Sequence, residues 1–173
     1  MNTPTSHGTE RWIEAGRRAL LSGTLASALS TGALALLGRR EAGSSVAPTN
    51  ATSHWLWGDA AFDAREASLR HTGVGYATHH LSAVFWATLY ERWLDEAGHR
   101  SAAEIARDAA LMAVLASIVD YELTPRRLRP GFEQHLSRPA LCGVFAAFGA
   151  GLALGAYMNR RHERRMDDLL SFP

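Results

Sequence analysis

Three long stretches of this chain carry no charged side chain, and they limit the folds open to it more than any other feature. Arg18 and Arg39 enclose twenty uncharged residues, Ala19–Gly38. Arg70 and Glu91 enclose twenty more, His71–Tyr90, and Arg138 and Arg160 enclose twenty-one, Pro139–Asn159. A helix rises 1.5 Å per residue, so about 20 apolar residues cross a hydrocarbon core of about 30 Å. A water-soluble helix of that length shows polar side chains on one face at a 3.6-residue period. Ala19–Gly38 offers only Ser and Thr, and Leu141–Met158 has no charged residue at all.

A fourth gap is shorter. Asp108 and Asp120 enclose eleven residues, Ala109–Val119. Extended to Ile105–Leu123 it reaches nineteen, with Arg107 close enough to one end to snorkel toward headgroups. The expected fold is therefore all-α: an integral-membrane four-helix bundle with spans at about 19–38, 73–91, 105–123 and 140–158. A soluble four-helix bundle is the architectural alternative. Trp12, Tyr76, Tyr90, Trp93, Tyr121 and Tyr157 fall at the span ends, where an apolar ring and a polar handle are both satisfied.

Four spans put both termini on one side. Arg11, Arg17 and Arg18 precede the first span, and Arg160, Arg161, Arg164 and Arg165 follow the last. The positive-inside rule assigns that side to the cytoplasm, which makes 159–173 a cytoplasmic tail and 39–70 an outer loop. Against this, Arg126, Arg127, Arg129 and Arg138 cluster on the proposed outer side. Gly16-Arg17-Arg18 also has the look of a twin-arginine leader, but its apolar run is long and Arg39-Arg40 follow at once, so the segment is taken as a span. In the outer loop, Thr49–Gly58 reads as a short interfacial helix with Trp55 and Trp57 at the lipid surface.

Composition removes several activities. All eighteen basic residues are Arg, which excludes a P-loop lysine, a Schiff-base lysine and a Ser-Lys dyad. The single Cys142 excludes an intramolecular disulfide and a cysteine-built zinc or iron–sulfur site within one chain. A net charge of +1 leaves no nucleic-acid footprint. No Gly-x-Ser-x-Gly, phosphate-cradling loop or nucleotide fingerprint occurs, so no catalytic residue is assigned.

Two features invite function. The last span carries Gly143, Ala147, Gly151 and Gly155 at every fourth position, and the first carries Gly23, Ser27, Thr31 and Ala35. In lipid, helices associate through such small residues, so these faces pack on each other or on a second protomer. The second feature is ionisable. His79 and His80 sit inside the second span, Asp120 at the end of the third, and His54 and His135 in outer loops. Imidazole and carboxylate bind transition metals, so a metal site from His79 or His80 with Asp120, His54 or His135 is one reading. Against it, adjacent histidines point about 100° apart on a helix, and no His-x-x-x-His or Glu-x-x-His occurs.

The stretch Ala47-Pro48-Thr49-Asn50-Ala51-Thr52-Ser53-His54-Trp55-Leu56-Trp57-Gly58-Asp59, followed by His71-Thr72-Gly73 and by His79-His80-Leu81-Ser82-Ala83-Val84-Phe85-Trp86, resembles small polytopic inner-membrane proteins of proteobacteria without an assigned activity. The resemblance covers residues 47–91. It implies a four-span bacterial inner-membrane protein and carries over no site residue. The expected function is a non-enzymatic structural, assembly or accessory role without a cofactor. The expected partners are the lipid bilayer and either a second copy or another membrane protein. The alternatives are a membrane metal-binding or redox protein using His79 or His80, and an oligomeric small transporter or channel.

Overall fold

The structure is a computed structural model that describes residues 4–98 and 100–170. Among them there is no strand. Four long helices carry the architecture: α1 (Pro4–Glu41), α4 (Val74–Glu96), α5 (Ala102–Ile118) and α6 (Arg138–Leu170). Two short helices, α2 (Ala47–Thr52) and α3 (His54–Trp57), lie between α1 and α4. α1 and α6 are long and apolar enough to cross a membrane; α5, at 17 residues, and α4, which carries His79 and His80, do not meet that test. α6 continues past residue 158 as one helix to Leu170, and the last residues of the expected tail, 171–173, lie outside the described residues.

The helices run alternately up and down. α1 packs along α6 on one side and α4 on the other, and α6 also packs on α5. The seams are made of small residues. A Cβ placed on Gly151 would lie 2.5 Å from the Ala26 nitrogen and 2.6 Å from the Leu25 carbonyl oxygen, and one on Gly155 would lie 2.7 Å from the Ser22 Cβ. One on Gly23 would lie 2.7 Å from the Val84 Cα, so α1 touches both neighbours backbone to backbone. The rest of the eight-residue small set is less close. Gly143 is exposed, with nothing nearer than Leu37 at 3.6 Å; Ala147, Thr31 and Ala35 are half-buried; Ser27 is buried.

Much of the buried surface of α1, α4 and α5 is made of small side chains, beside a large apolar core that includes Tyr90, Leu94, Ile105, Phe148 and Leu152. The interior of α1 is Ala15, Ala19, Ser22, Ala26, Ser27 and Ser30, with Leu34 as its one large member, while its Leu20, Leu29 and Leu36 face outward. On α4 and α5, Leu81, Phe85, Leu111, Val114 and Ile118 are likewise exposed over buried alanines. Burying small side chains lets backbones approach.

The short helix departs from expectation. It begins at Ala47, not Thr49, and all six of its residues are buried, so it is a wedge inside the bundle and does not lie flat on an interface. Pro48 packs on Gly38 of α1, where a Cβ would lie 2.6 Å from its ring, and Thr49 packs on Gly75 of α4. Only α3 reaches the surface, through Leu56 and Trp57; the Trp55 indole instead donates 3.0 Å to the Arg129 carbonyl. The reason is polar satisfaction. Asn50, fully buried, donates to the carbonyls of Ala64 (2.9 Å) and Glu66 (3.0 Å) and accepts from Thr72 (2.7 Å), which folds the whole 47–72 connection inward.

Candidate functional site

α4 and α5 are joined near the end of the bundle that holds both termini, where the Tyr90 hydroxyl donates 2.7 Å to the Ile105 carbonyl. Away from that point they separate. The gap is a cavity of about 440 Å³, within the range of small-molecule sites. Trp86, Leu81 and Phe85 of α4 form one wall, Ala116 and Val119 the other, Val144, Phe145 and Phe148 of α6 the floor, and Leu128, Pro130 and Phe132 the roof. Leu81 and Phe85 are exposed, so the cavity opens sideways between the two helices.

Six polar residues enter this apolar lining: Ser30, Thr52, His79, Ser82, Asp120 and Thr124. Asp120 stands on a wide π-helical turn, Val119–Leu123, that ends α5; such turns occur mostly as single insertions and often at functional sites. The Ser30 hydroxyl donates 2.7 Å to the Ala26 carbonyl, so toward His79 Nε2, 2.8 Å away, it acts as acceptor. That pairing assigns the proton to Nε2 and leaves Nδ1 as an acceptor. His79 also meets Phe132 edge to face at 5.6 Å. The Thr52 hydroxyl, on a side chain that is 3% exposed, has no hydrogen-bond partner.

Of the five expected metal ligands, then, His79 and Asp120 share one cavity and the other three lie apart. His80 stacks on Tyr76 at 5.8 Å. His54 packs on Phe62 at 4.9 Å, with Nδ1 2.8 Å from the Ala51 carbonyl. His135 stands beside Arg65 and Asp63, and burial followed by Arg65 pushes its imidazole below the ordinary value. Among the described residues no three His, Cys, Asp or Glu side chains gather closely enough to hold a metal ion. The five-residue ligand set is therefore not assembled: helix geometry turns His80 off the His79 face, and the wedge helix carries His54 into its own packing.

A second polar centre lies at the termini end. Glu91 of α4 is fully buried; its Oε1 accepts 2.9 Å from Asn159, and Arg160 Nη2 lies 3.6 Å from its Oε2. Arg160 also reaches Asp95 at 3.2 Å, and Arg18 of α1 pairs with Asp95 and, at 2.6 Å, with Glu163. Burial works against the Arg18 charge, but Asp95 and Glu163 beside it hold its pKa above the ordinary value. Three helices are thus tied by one ion-pair network. Sequence reasoning missed it. The available signal was that Arg18, Glu91 and Arg160 each bound a charge-free stretch, and alternating helices bring those three boundaries to one level.

Comparison with known proteins finds no family model, no curated protein and no solved structure that matches this chain.

Proposed function

We propose that this chain is a four-span protein of a bacterial inner membrane, with a non-enzymatic accessory role, and that it holds an apolar molecule in the cavity between α4 and α5. The observation that carries the ligand reading is the cavity itself: about 440 Å³, lined by aromatic and aliphatic side chains, opening sideways between exposed Leu81 and Phe85. The exposed large apolar side chains of α1, α4 and α5, Leu20, Leu29, Leu36, Leu81, Phe85, Leu111 and Val114 among them, support a lipid surround, since such side chains facing outward are costly in water and favourable in hydrocarbon. The arginines flanking the termini support a cytoplasmic location for that end.

The polar lining selects the head of the ligand. Asp120, His79 through Nδ1 and the unpartnered Thr52 hydroxyl all offer acceptor atoms. A hydroxyl or amine head on an elongated apolar body satisfies them; a second carboxylate would leave Asp120 opposed by like charge.

The test uses the two indoles that line the cavity, Trp55 and Trp86. Alkaline carbonate extraction should leave the protein in the membrane fraction. In detergent, brominated dodecylamine should quench tryptophan fluorescence saturably. Ala116→Phe, which fills the cavity wall, should abolish the saturable part while Trp12, Trp57 and Trp93 keep their emission. Equal quenching of this variant and the parent would refute the ligand reading, and release by carbonate would refute the membrane reading.

A further inference from the structure

We propose that the arginine-lined pocket between the start of α5 and the end of α6 binds a phosphate group of net negative charge. The pocket, about 470 Å³, is lined by Arg100, Arg160, Arg161 and Arg164 together with Ser101 and Tyr157. Among the described residues its lining includes no carboxylate. Four guanidinium groups converging on one space repel one another unless an anion joins them, and the guanidinium fork matches phosphate oxygens two at a time.

The arginines are not equally committed. Arg160 is held by Glu91, Asp95 and Glu163. Arg100 has Nη1 3.5 Å from Asp108, while its buried Nε has no hydrogen-bond partner. Arg164 donates 3.3 Å to the Arg100 carbonyl, which ties the two walls together. Arg161 is exposed and enters none of the ion pairs among the described residues. Glu104, the neighbouring acid, is largely engaged elsewhere: its carboxylate accepts from the Ser101 amide at 2.8 Å and hydroxyl at 2.9 Å, bonds that hold it below the usual carboxylate range, and its Oε1 reaches Arg100 Nη1 only at 3.9 Å. So Arg161, Arg164 and the free edge of Arg100 present positive charge that no side chain of the pocket neutralises.

The phosphate has two sources, an anionic phospholipid headgroup or a free phosphate ion. The pocket adjoins Tyr157 at the end of the apolar part of α6, the level at which basic pockets between spans meet headgroups. The lipid source rests on the membrane reading above; the pocket does not.

The experiment titrates the full chain in non-ionic detergent with short-chain phosphatidylglycerol, phosphatidylcholine of the same chain length, and inorganic phosphate, reading affinity by thermal shift and occupancy by native mass spectrometry. Saturable phosphatidylglycerol binding, with phosphatidylcholine much weaker, is expected. The Arg161→Ala/Arg164→Ala double variant should bind about 25-fold more weakly, about fivefold per arginine removed, with unchanged helicity. Phosphate binding as tight as the lipid identifies the free ion as the source; lipid binding alone identifies the headgroup. No saturable binding of either, equal binding of the two lipids, or equal binding by the variant overturns the proposal. Should the double variant fold poorly, Arg161→Gln alone, at an exposed position, carries the same comparison with about a fivefold loss.

Discussion

The same substitution at two glycines of one helix should have opposite signs. Both Gly143 and Gly151 lie inside α6, eight residues apart in the same every-fourth small-residue series as Ala147 and Gly155. Glycine to alanine in a helix interior gains about 1 kcal/mol of intrinsic propensity. At Gly143 the new methyl meets nothing closer than the Leu37 side chain at 3.6 Å, ordinary contact, so Gly143→Ala should be neutral or stabilising by up to about 1 kcal/mol. At Gly151 the methyl would lie 2.5 Å from the Ala26 nitrogen and 2.6 Å from the Leu25 oxygen. Non-bonded carbon contacts relax at about 3.5–4.0 Å, so α1 and α6 must part by about 1 Å. A gap of that size forfeits about a quarter to a half of each contact along the seam, and overpacking of this kind costs about 1–3 kcal/mol. Near the upper end, less the propensity gain, Gly151→Ala loses about 2 kcal/mol. For a chain of this length that is a Tm lowered by about 4–8 °C. Thermal melts of both variants by circular dichroism, in one detergent at one protein concentration, give the comparison. If Gly151→Ala melts at or above the parent, or if both variants move together, the backbone contact between α1 and α6 does not hold.

Three further outcomes follow from the polar contacts. Arg160→Ala takes from the fully buried Glu91 the cation 3.6 Å away and should cost about 3–5 kcal/mol in denaturant unfolding, whereas Arg17→Ala, whose 3.7 Å pair with Glu14 is exposed, should stay within about 0.5 kcal/mol. Asn50→Ala strands the Ala64 and Glu66 carbonyls and the Thr72 hydroxyl; at about 1 kcal/mol or more for each group it should destabilise by about 3 kcal/mol and make the 64–72 connection newly sensitive to limited proteolysis. Glu41 accepts from the Ser137 amide at 2.7 Å and hydroxyl at 2.9 Å, and these bonds hold its pKa below the usual carboxylate range. A depressed pKa stabilises above the unfolded value and loses that contribution as pH falls through the folded one, so the stability difference between parent and Glu41→Gln should be present at pH 7 and vanish in acid.

How much of this was written in the sequence depends on which interactions decided each element. α1 and α6 were legible because uninterrupted apolar length needs no tertiary partner to be recognised. The α1–α6 seam was legible in kind, through Gly151 and Gly155, but its extent was not: spacing by four treats Gly143 and Ala147 alike with them, and only the crossing of the helices shows that contact is closest near Ala26 and Ser22. The wedge helix misled because Trp55 and Trp57 carry the signature of an interface, while the deciding residue is Asn50, whose three hydrogen bonds reach up to 22 positions along the chain. His79 and Asp120 could be nominated as ionisable groups in apolar surroundings. That they share a cavity while His54, His80 and His135 do not depends on the π-helical turn after Ile118 and on which face of α4 meets Ser30.

The two ends of the bundle differ in what holds them, and that difference locates the cavity. At the termini end, Arg18, Glu91, Asp95, Asn159, Arg160 and Glu163 cross-link α1, α4 and α6, and the Tyr90 hydroxyl adds α5. Partly buried ion pairs of this kind tolerate little displacement, because moving one partner leaves a desolvated charge unpaired. At the other end α1, α4 and α6 are joined by the wedge and by Glu41 to Ser137, but between α4 and α5 there is the cavity, bounded by a loop with three arginines, Arg126, Arg127 and Arg129. Widening the gap between Leu81 and Phe85 on α4 and Ala116 and Val119 on α5 breaks no ion pair of the network. On the ligand reading proposed above, a bundle locked at one end and separable at the other would admit a long molecule sideways without unfolding, and the Ala116→Phe variant tests that route because it blocks the gap and leaves the locked end untouched.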